Sequence, residues 1–348
     1  MIHYAYPGSF CPPTYGHLRI VERAAVLLPH VTIVCSRNEE KNGRWFDEIE
    51  CKALWSGYNL PPHVSMQTLT EFQTSVTRGD TIVLIRGIRN SDDFTHEHRI
   101  MELNRARFGI STYMYFVAEP QYADVSSSRA RRAAENLDFD SLATCVHPMI
   151  LSKLLEHTLG VKNIFLVVGK PGSGKSTFLR MLRKESPTNF VIETDSWSER
   201  FKPILKKEFG TEDLIALATS RDAEVSRFLK KSWLECLVRE LRQAPRGANI
   251  FVEAAYGLAP KKSLFRFIGG KIIDFECGDR AENSRRIMER GTPEHLAFLD
   301  RIPDRGTSLN IAKERGLNIT HIDTSCTLGE LKEKVKIFNN NLKKNEDI

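Results

Sequence analysis

Short apolar runs, each followed by a turn and a stretch of helical spacing, recur along this chain. In the first half, Ile2–Tyr6, Val31–Cys35, Thr81–Ile85 and Tyr113–Ala118 read as strands. Leu18–Leu28 and Asp93–Arg107 have helical periodicity, and His147–His157 reads as a closing helix stopped at Gly160. Val161-Lys162-Asn163 is then a short linker. The second half repeats the rhythm, with strands expected at Ile164–Val168, Phe190–Glu193, Asn249–Glu253, Lys271–Glu276 and Ile319–Ile322. Leu214–Glu240 holds helical pattern as more than one helix, and residues 329–348 read as a helix fraying into a charged tail. Strands alternating with helices predict parallel sheets covered on both faces. The expected fold class is α/β: two doubly wound parallel-sheet domains, at residues 1–160 and 161–348.

Composition narrows the setting. With 348 residues, 41% hydrophobic and 27% charged, the chain reads as a soluble globular protein. Its apolar runs are too short to cross a bilayer, so no membrane partner is expected. The first residues break at Pro7 without a basic segment, unlike a secretion signal. Seven scattered cysteines with no C-x-x-C spacing argue against zinc and redox motifs and suit a reducing cytoplasm. Cys35 and Cys277, in apolar runs, read as small core residues. The net charge of +6 is uneven: residues 1–160 carry 16 Lys+Arg against 18 Asp+Glu, so the excess lies wholly in the second half. A basic half suits polyphosphate ligands. Nucleic acid is not expected, because no basic cluster is interleaved with aromatics. A solvated lysine-rich surface at Lys332–Lys344 explains part of the excess.

Gly169-Lys170-Pro171-Gly172-Ser173-Gly174-Lys175-Ser176 matches the phosphate-binding pattern G-x-x-x-x-G-K-[ST] between an expected strand and a helix-like run. The amides around Gly169, Gly172, Ser173 and Gly174 are expected to cradle phosphate, with Thr177 opening the helix. Lys175 reaches the β/γ-phosphates of ATP and Ser176 ligates Mg²⁺ in this pattern. Glu193 and Asp195 end a strand near the loop, as acceptor-side acids; Asp195 alternatively caps the next helix with Ser196. Glu253 is a Mg²⁺-side or acceptor-side candidate, or else a structural carboxylate. Arg285, Arg286 and Arg290 follow a strand and read either as lid arginines over ATP or as a solvated helix face.

Near the N-terminus, Pro7–His17 joins the first strand to the first helix and contains Thr14-Tyr15-Gly16-His17. A loop at the carboxyl end of a parallel strand borders the ligand crevice, and the helix behind it turns free N–H groups toward phosphate. Gly8 and Gly16 permit close approach of a ligand. His17 either donates to a phosphate or caps the helix. Arg86 and Arg89 leave another strand end together, each suited to fork-like phosphate contacts, ahead of Asp92 and Asp93 at a helix start. Val125-Ser126-Ser127-Ser128-Arg129-Ala130-Arg131 opens a third helix with hydroxyls and bases.

These stretches resemble phosphopantetheine adenylyltransferase, of the T/HxGH nucleotidyltransferase superfamily, from Tyr6 to about Leu155. The resemblance implies a Rossmann-like domain joining ATP and 4′-phosphopantetheine to give dephospho-CoA and pyrophosphate. It implies that Ser9 and His17 contact the reacting phosphates, Lys41 orients both substrates, Arg86 binds the pantetheine phosphate and Phe72 lines that pocket. Phe10, Gly87, Arg89 and Glu97 would hold ATP, with Tyr122 and Ser126, Ser127 and Ser128 closing around it. Cys11 stands where the family usually has Asp, and the Lys41 loop is one residue longer, which makes Arg44 a second candidate. The second half resembles P-loop small-molecule kinases and, more loosely, dephospho-CoA kinase. The arrangement resembles bifunctional coenzyme A synthase, with dephospho-CoA passing to the second site; a homo-oligomer is compatible with this. The nearest rival is the nicotinamide-nucleotide adenylyltransferase–ribosylnicotinamide kinase fusion. A nucleotide-sensing or nucleic-acid-binding P-loop module is the third.

Overall fold

The computed structural model describes residues 1–37, 45–194, 197–212, 217, 222–254, 267–278, 280–291, 296 and 317–344. They divide into two compact units, Met1–Leu151 and Ser152–Ile348.

The first unit is built on β1 (Ile2–Gly8), α1 (Tyr15–Leu27), β2 (Val31–Cys35), α2 (Glu48–Leu54), β3 (Val64–Thr68), α3 (Leu69–Ser75), β4 (Thr81–Ile88), α4 (Ser91–Phe108) and β5 (Thr112–Val117). Helices α5 (Ser127–Glu135), α6 (Phe139–Cys145) and α7 (Pro148–Leu159) follow, α7 running on into the second unit. The sheet is wholly parallel, in the order β3-β2-β1-β4-β5. Every residue of β2 is buried, which is why Val31–Cys35 reads as a continuous apolar run. On α1, Ile20, Val21, Ala24 and Ala25 form the buried stripe. The chain leaves β1 outward through β2 and β3, then crosses back to β4. The carboxyl ends of β1 and β4 therefore flank a switch point, where open α/β sheets form their crevice.

Strand β3 and helix α3 depart from the expectation from hydrophobic pattern, which contained neither. Val64-Ser65-Met66-Gln67-Thr68 is half-buried throughout, being an edge strand, so no apolar run marks it.

The second unit contains β6 (Asn163–Gly169), α8 (Lys175–Glu185), β7 (Asn189–Glu193), α9 (Trp197–Phe209), α10 (Ala223–Leu241), β8 (Asn249–Glu253), β9 (Lys271–Glu276), α11 (Arg280–Glu289), β10 (Asn318–Asp323) and α12 (Leu328–Lys344). Its sheet is also parallel, ordered β10-β9-β6-β8-β7, with β6 in the centre. Connections leave β6 on both sides, so its carboxyl end is again a switch point. Phe178 packs edge-on against Phe275 at 5.1 Å and Phe338 at 5.7 Å, and Phe165 stacks on Phe251 at 5.1 Å. That cluster seats α8 and α12 on one face of the sheet.

A polar seam pins the register at the other end. Asn163, Asn249 and Asn189 begin β6, β8 and β7 in mutual register. Asn163 donates to the Asn249 carbonyl oxygen at 2.8 Å, and Asn249 donates to Asn189 at 3.4 Å. Asn189 in turn donates to Asn339 of α12 at 3.0 Å. Buried amides paired in this way penalise any slipped register, which would strand them unsatisfied.

Candidate functional sites

In the first unit, the loop after β1 turns sharply into α1. Phe10 sits at φ 41°, and its buried ring meets His17 edge-on at 5.1 Å and Trp55 at 5.2 Å. A Cβ on Gly8 would stand 2.7 Å from that ring, so glycine is required there. Thr14 caps α1, and its N–H donates to His17 Nδ1 at 3.1 Å. An Nδ1 that accepts leaves the proton of a neutral imidazole on Nε2.

The start of α5 is tied to the same loop. Ser127 Oγ donates to the Pro12 carbonyl at 2.7 Å, and Arg131 donates to the Cys11 carbonyl. Ser126 caps α5 by accepting from the Arg129 N–H at 3.2 Å, while Ser128 accepts from Arg131 at 3.4 Å. Tyr122 ends a short 3₁₀ turn just before, and Ser9 is half-buried in the β1 loop.

At the end of β4, Arg86 forms a fork with Glu97 of α4, at 2.6 and 2.5 Å, and also donates to the Pro7 carbonyl at 3.0 Å. Burial works against the Arg86 charge, but the hydrogen bonds and charge of Glu97 outweigh it and raise its pKa. Burial also pushes the neighbouring Tyr6 phenol up, keeping it neutral. Arg89 grips Asp93 at 2.7 and 2.9 Å, and Asn90 caps α4. Gly87 passes so close to α1 that a Cβ would be 3.2 Å from Ile20. Phe72 is buried in a core cluster with Ala5, Val34 and Leu84. Cys11 and Cys51 both donate to the Phe46 carbonyl at 3.8 Å. The Cys51 hydrogen bond, with further ones from the backbone and the charge of Arg131, outweighs burial and brings the Cys11 thiol down to about 6. Lys41 and Arg44 lie outside the described residues.

In the second unit, Gly169, Gly172 and Gly174 have φ of 156°, 75° and 81°, the path that bends the chain from β6 into α8. A Cβ at Gly172 would lie 2.7 Å from the Asn283 carbonyl oxygen. Lys175 is 7% exposed and donates to the Gly169 and Lys170 carbonyls at 3.0 and 3.2 Å. Ser176 Oγ donates to Glu253 Oε1 at 2.8 Å. Thr194 donates to the Glu253 carbonyl at 2.8 Å, and Glu193 is exposed at the end of β7. Asp195 lies outside the described residues.

Arg286 braces the loop: it donates to the Gly172 carbonyl at 3.5 Å and the Thr324 carbonyl at 3.0 Å, while its Nε binds Glu282 at 2.7 Å. Thr324 Oγ1 lies 2.9 Å from the Ser173 carbonyl, which it supports. A cleft of about 330 Å³ opens on the loop, lined by Gly172 to Thr177, Arg180, Arg286, Glu289 and Arg290. The buried Ser173 hydroxyl in that lining has no hydrogen-bond partner among the described residues. Among the described residues, no group of three or more His, Cys, Asp or Glu side chains stands ready to hold a metal ion. No helix among them is long and apolar enough to cross a membrane.

Residues 5–133 match the cytidylyltransferase-like family. Phosphopantetheine adenylyltransferase of Levilactobacillus brevis is 32% identical over 133 residues, covering 37% of this chain and 81% of that protein. The phosphopantetheine adenylyltransferase of Mannheimia succiniciproducens is 30% identical over 152 residues, covering 43% of this chain and 94% of that protein. The chain belongs to the phosphopantetheine adenylyltransferase family. That membership rests on its first unit. Among solved structures, a NadR protein in complex with NR spans 97% of this chain and 95% of its own length, at 14% identity and a TM-score of 0.34. A score that low carries no argument about this chain.

Within the phosphopantetheine adenylyltransferase part, the fold gathers Phe10, His17, Ser127 and Ser128 at one loop, and Arg86 and Glu97 beside it on Pro7. Arg131, absent from the sequence candidates, fastens the loop; the basic residues after the serine run were its one signal. In the second unit Thr324 and Arg180 were missed. Thr324 is a plain threonine after β10, and only the parallel order of β10 beside β9 brings it to the loop. Arg180 stands one turn past Ser176, on the side of α8 that reaches the cleft.

Proposed function

We propose that the first unit transfers the adenylyl group of ATP to 4′-phosphopantetheine, and that the second phosphorylates the ribose 3′-hydroxyl of the resulting dephospho-CoA with another ATP. The two activities divide at residues 160 and 161. The observation that carries the first half is the loop Pro7–His17, held by Thr14, Ser127 and Arg131 from two helix starts. A phosphate oxygen of phosphopantetheine attacks the α-phosphorus of ATP in line, and pyrophosphate leaves. His17 Nε2–H donates to the phosphate, with Ser9, Lys41 and Arg86 positioning the acceptor and Phe72 lining its pocket. Phe10, Gly87, Arg89, Glu97, Tyr122 and Ser126–Ser128 surround the nucleotide. Positioning and charge neutralisation do this work, without a covalent enzyme intermediate.

The kinase half rests on the glycine-rich loop and on the Ser176–Glu253 contact of 2.8 Å. A hydroxyl and a carboxylate there are hard oxygen donors and fit Mg²⁺, which takes one or two protein oxygens plus substrate phosphates. Ser176 and Glu253 would hold the ion, which when bound neutralises charge on the β- and γ-phosphates. Lys175 leaves its loop carbonyls for those phosphates, and Arg286 and Arg290 close over the bound ATP. Glu193 or Asp195 takes the proton of the acceptor hydroxyl as it attacks the γ-phosphorus. The scattered free cysteines accord with a cytoplasmic setting.

The acceptor has a second reading, ribosylnicotinamide. The G-K-P-G-S-G-K-S loop and the want of an arginine-rich segment depart from the dephospho-CoA kinase pattern and leave this acceptor open. The deciding experiment supplies ATP with 4′-phosphopantetheine and weighs the product. The mass of coenzyme A supports both steps; dephospho-CoA alone moves the kinase to another acceptor; no adenylylated product overturns the first half. With dephospho-CoA supplied directly for the kinase step, Lys175→Ala is expected to abolish ADP formation and spare pyrophosphate release, with His17→Ala doing the reverse. One substitution silencing both activities in a folded protein would defeat independent sites.

A further inference from the structure

The geometry points to Arg180 and Arg290 as the residues that hold the nucleoside half of the nucleotide in the second unit, their guanidinium planes stacking on its base. This rests on reading the glycine-rich loop as a nucleotide site.

The cations around the loop fall into two sets. Lys175 and Arg286 are engaged with loop carbonyls, and Arg286 also with Glu282. Arg285 is clamped by Glu282 and Glu289. Arg180 and Arg290 line the same cleft, yet neither side chain has an ion pair or hydrogen bond among the described residues. Two unengaged arginines, contributed by α8 and by the residue that follows α11, thus stand beside a phosphate cradle.

Their position says which part of a ligand they meet. The loop amides and Ser176 surround the start of α8, where phosphates bind. Arg180 is four residues beyond Ser176, about 6 Å farther along the helix, on the same flank. A ligand held by its phosphates at the helix start presents to Arg180 the portion that extends away from them, which in a nucleoside triphosphate is ribose and base. Among the described residues, no aromatic side chain lines the cleft to stack on a base. A guanidinium is planar and stacks on flat π-systems, and it does so on bases. Both arginines are exposed, so neither is needed for the core.

Calorimetric titration of the full chain with ATP and with inorganic tripolyphosphate tests this, taking in each case the binding that Lys175→Ala removes. Arg180→Ala and Arg290→Ala are each expected to weaken ATP binding by about tenfold, with tripolyphosphate held within about twofold. Arg180→Lys, which keeps the charge and loses the plane, is expected not to restore ATP. Equal losses for both ligands, full rescue by lysine, or no loss of ATP would overturn the assignment while leaving the nucleotide site intact. If Lys175→Ala removes no ATP binding at all, the nucleotide reading of the loop falls and the assignment falls with it. Unchanged thermal unfolding of the variants keeps folding out of the comparison.

Discussion

Ser127 donates a hydrogen bond to the Pro12 carbonyl at 2.7 Å, joining residues 115 apart in the chain. The bond fastens the first turn of one helix to the loop that starts another. Removing it leaves a partly buried carbonyl without that donor, a loss of about 1 kcal/mol. Ser127→Ala is expected to lower kcat/KM for adenylyl transfer by at least about fivefold and to lower the unfolding temperature by only a few degrees. Steady-state kinetics with pyrophosphate detection checks it; an unchanged kcat/KM would mean the loop is held without this contact.

Glu97 is buried and Arg86 mostly so, and the two form a doubly hydrogen-bonded fork beside that loop. Removing one partner strands the other charge in poor solvent. Glu97→Gln is expected to destabilise the first unit by about 3 kcal/mol. Denaturant unfolding followed by hydrogen exchange at β1 and β4 measures it. A change under about 1 kcal/mol would show that Arg86 finds other partners.

Cys11 has a thiol held near 6 against an ordinary 9.0, chiefly by the hydrogen bond from Cys51. An acid whose pKa is lowered by folding stabilises the fold above its ordinary value, and that contribution is lost as pH falls through about 6. Between these limits the chain is expected to gain stability with rising pH. Cys51→Ala should flatten that gain and move the thiolate absorbance transition of Cys11 upward. Ionised, Cys11 would carry the charge that the family's usual Asp supplies, so Cys11→Asp should retain more adenylyl transfer than Cys11→Ala. Equal activities would remove charge from the role of this position.

Gly172 has φ +75°, and its missing Cβ would lie 2.7 Å from the Asn283 carbonyl oxygen. Gly172→Ala therefore adds a backbone clash to a strained conformation, costing about 1–3 kcal/mol. On the proposed kinase reading, it is expected to abolish ADP formation and leave pyrophosphate release untouched. Parallel assays of the two products check it, and full kinase activity would show that the loop can shift.

The two βα frameworks, the glycine-rich loop and the Thr14–His17 helix start were legible in the sequence. Each depends on chemistry between near neighbours: an apolar run that must be buried, a cap beside the amides it satisfies, a glycine where the chain bends. Strand β3 was illegible because an edge strand with half-buried residues carries no apolar run. Some partners that complete the sites were hidden. Arg131 fastens the first loop, Thr324 supports the Ser173 carbonyl 151 residues away, and Arg180 lines the cleft beside the second loop. Nothing in their local sequence separates them from ordinary polar surface residues. Strand order in each sheet decides which loops end side by side, and that order is set by the burial of the whole core, which no short stretch of sequence records.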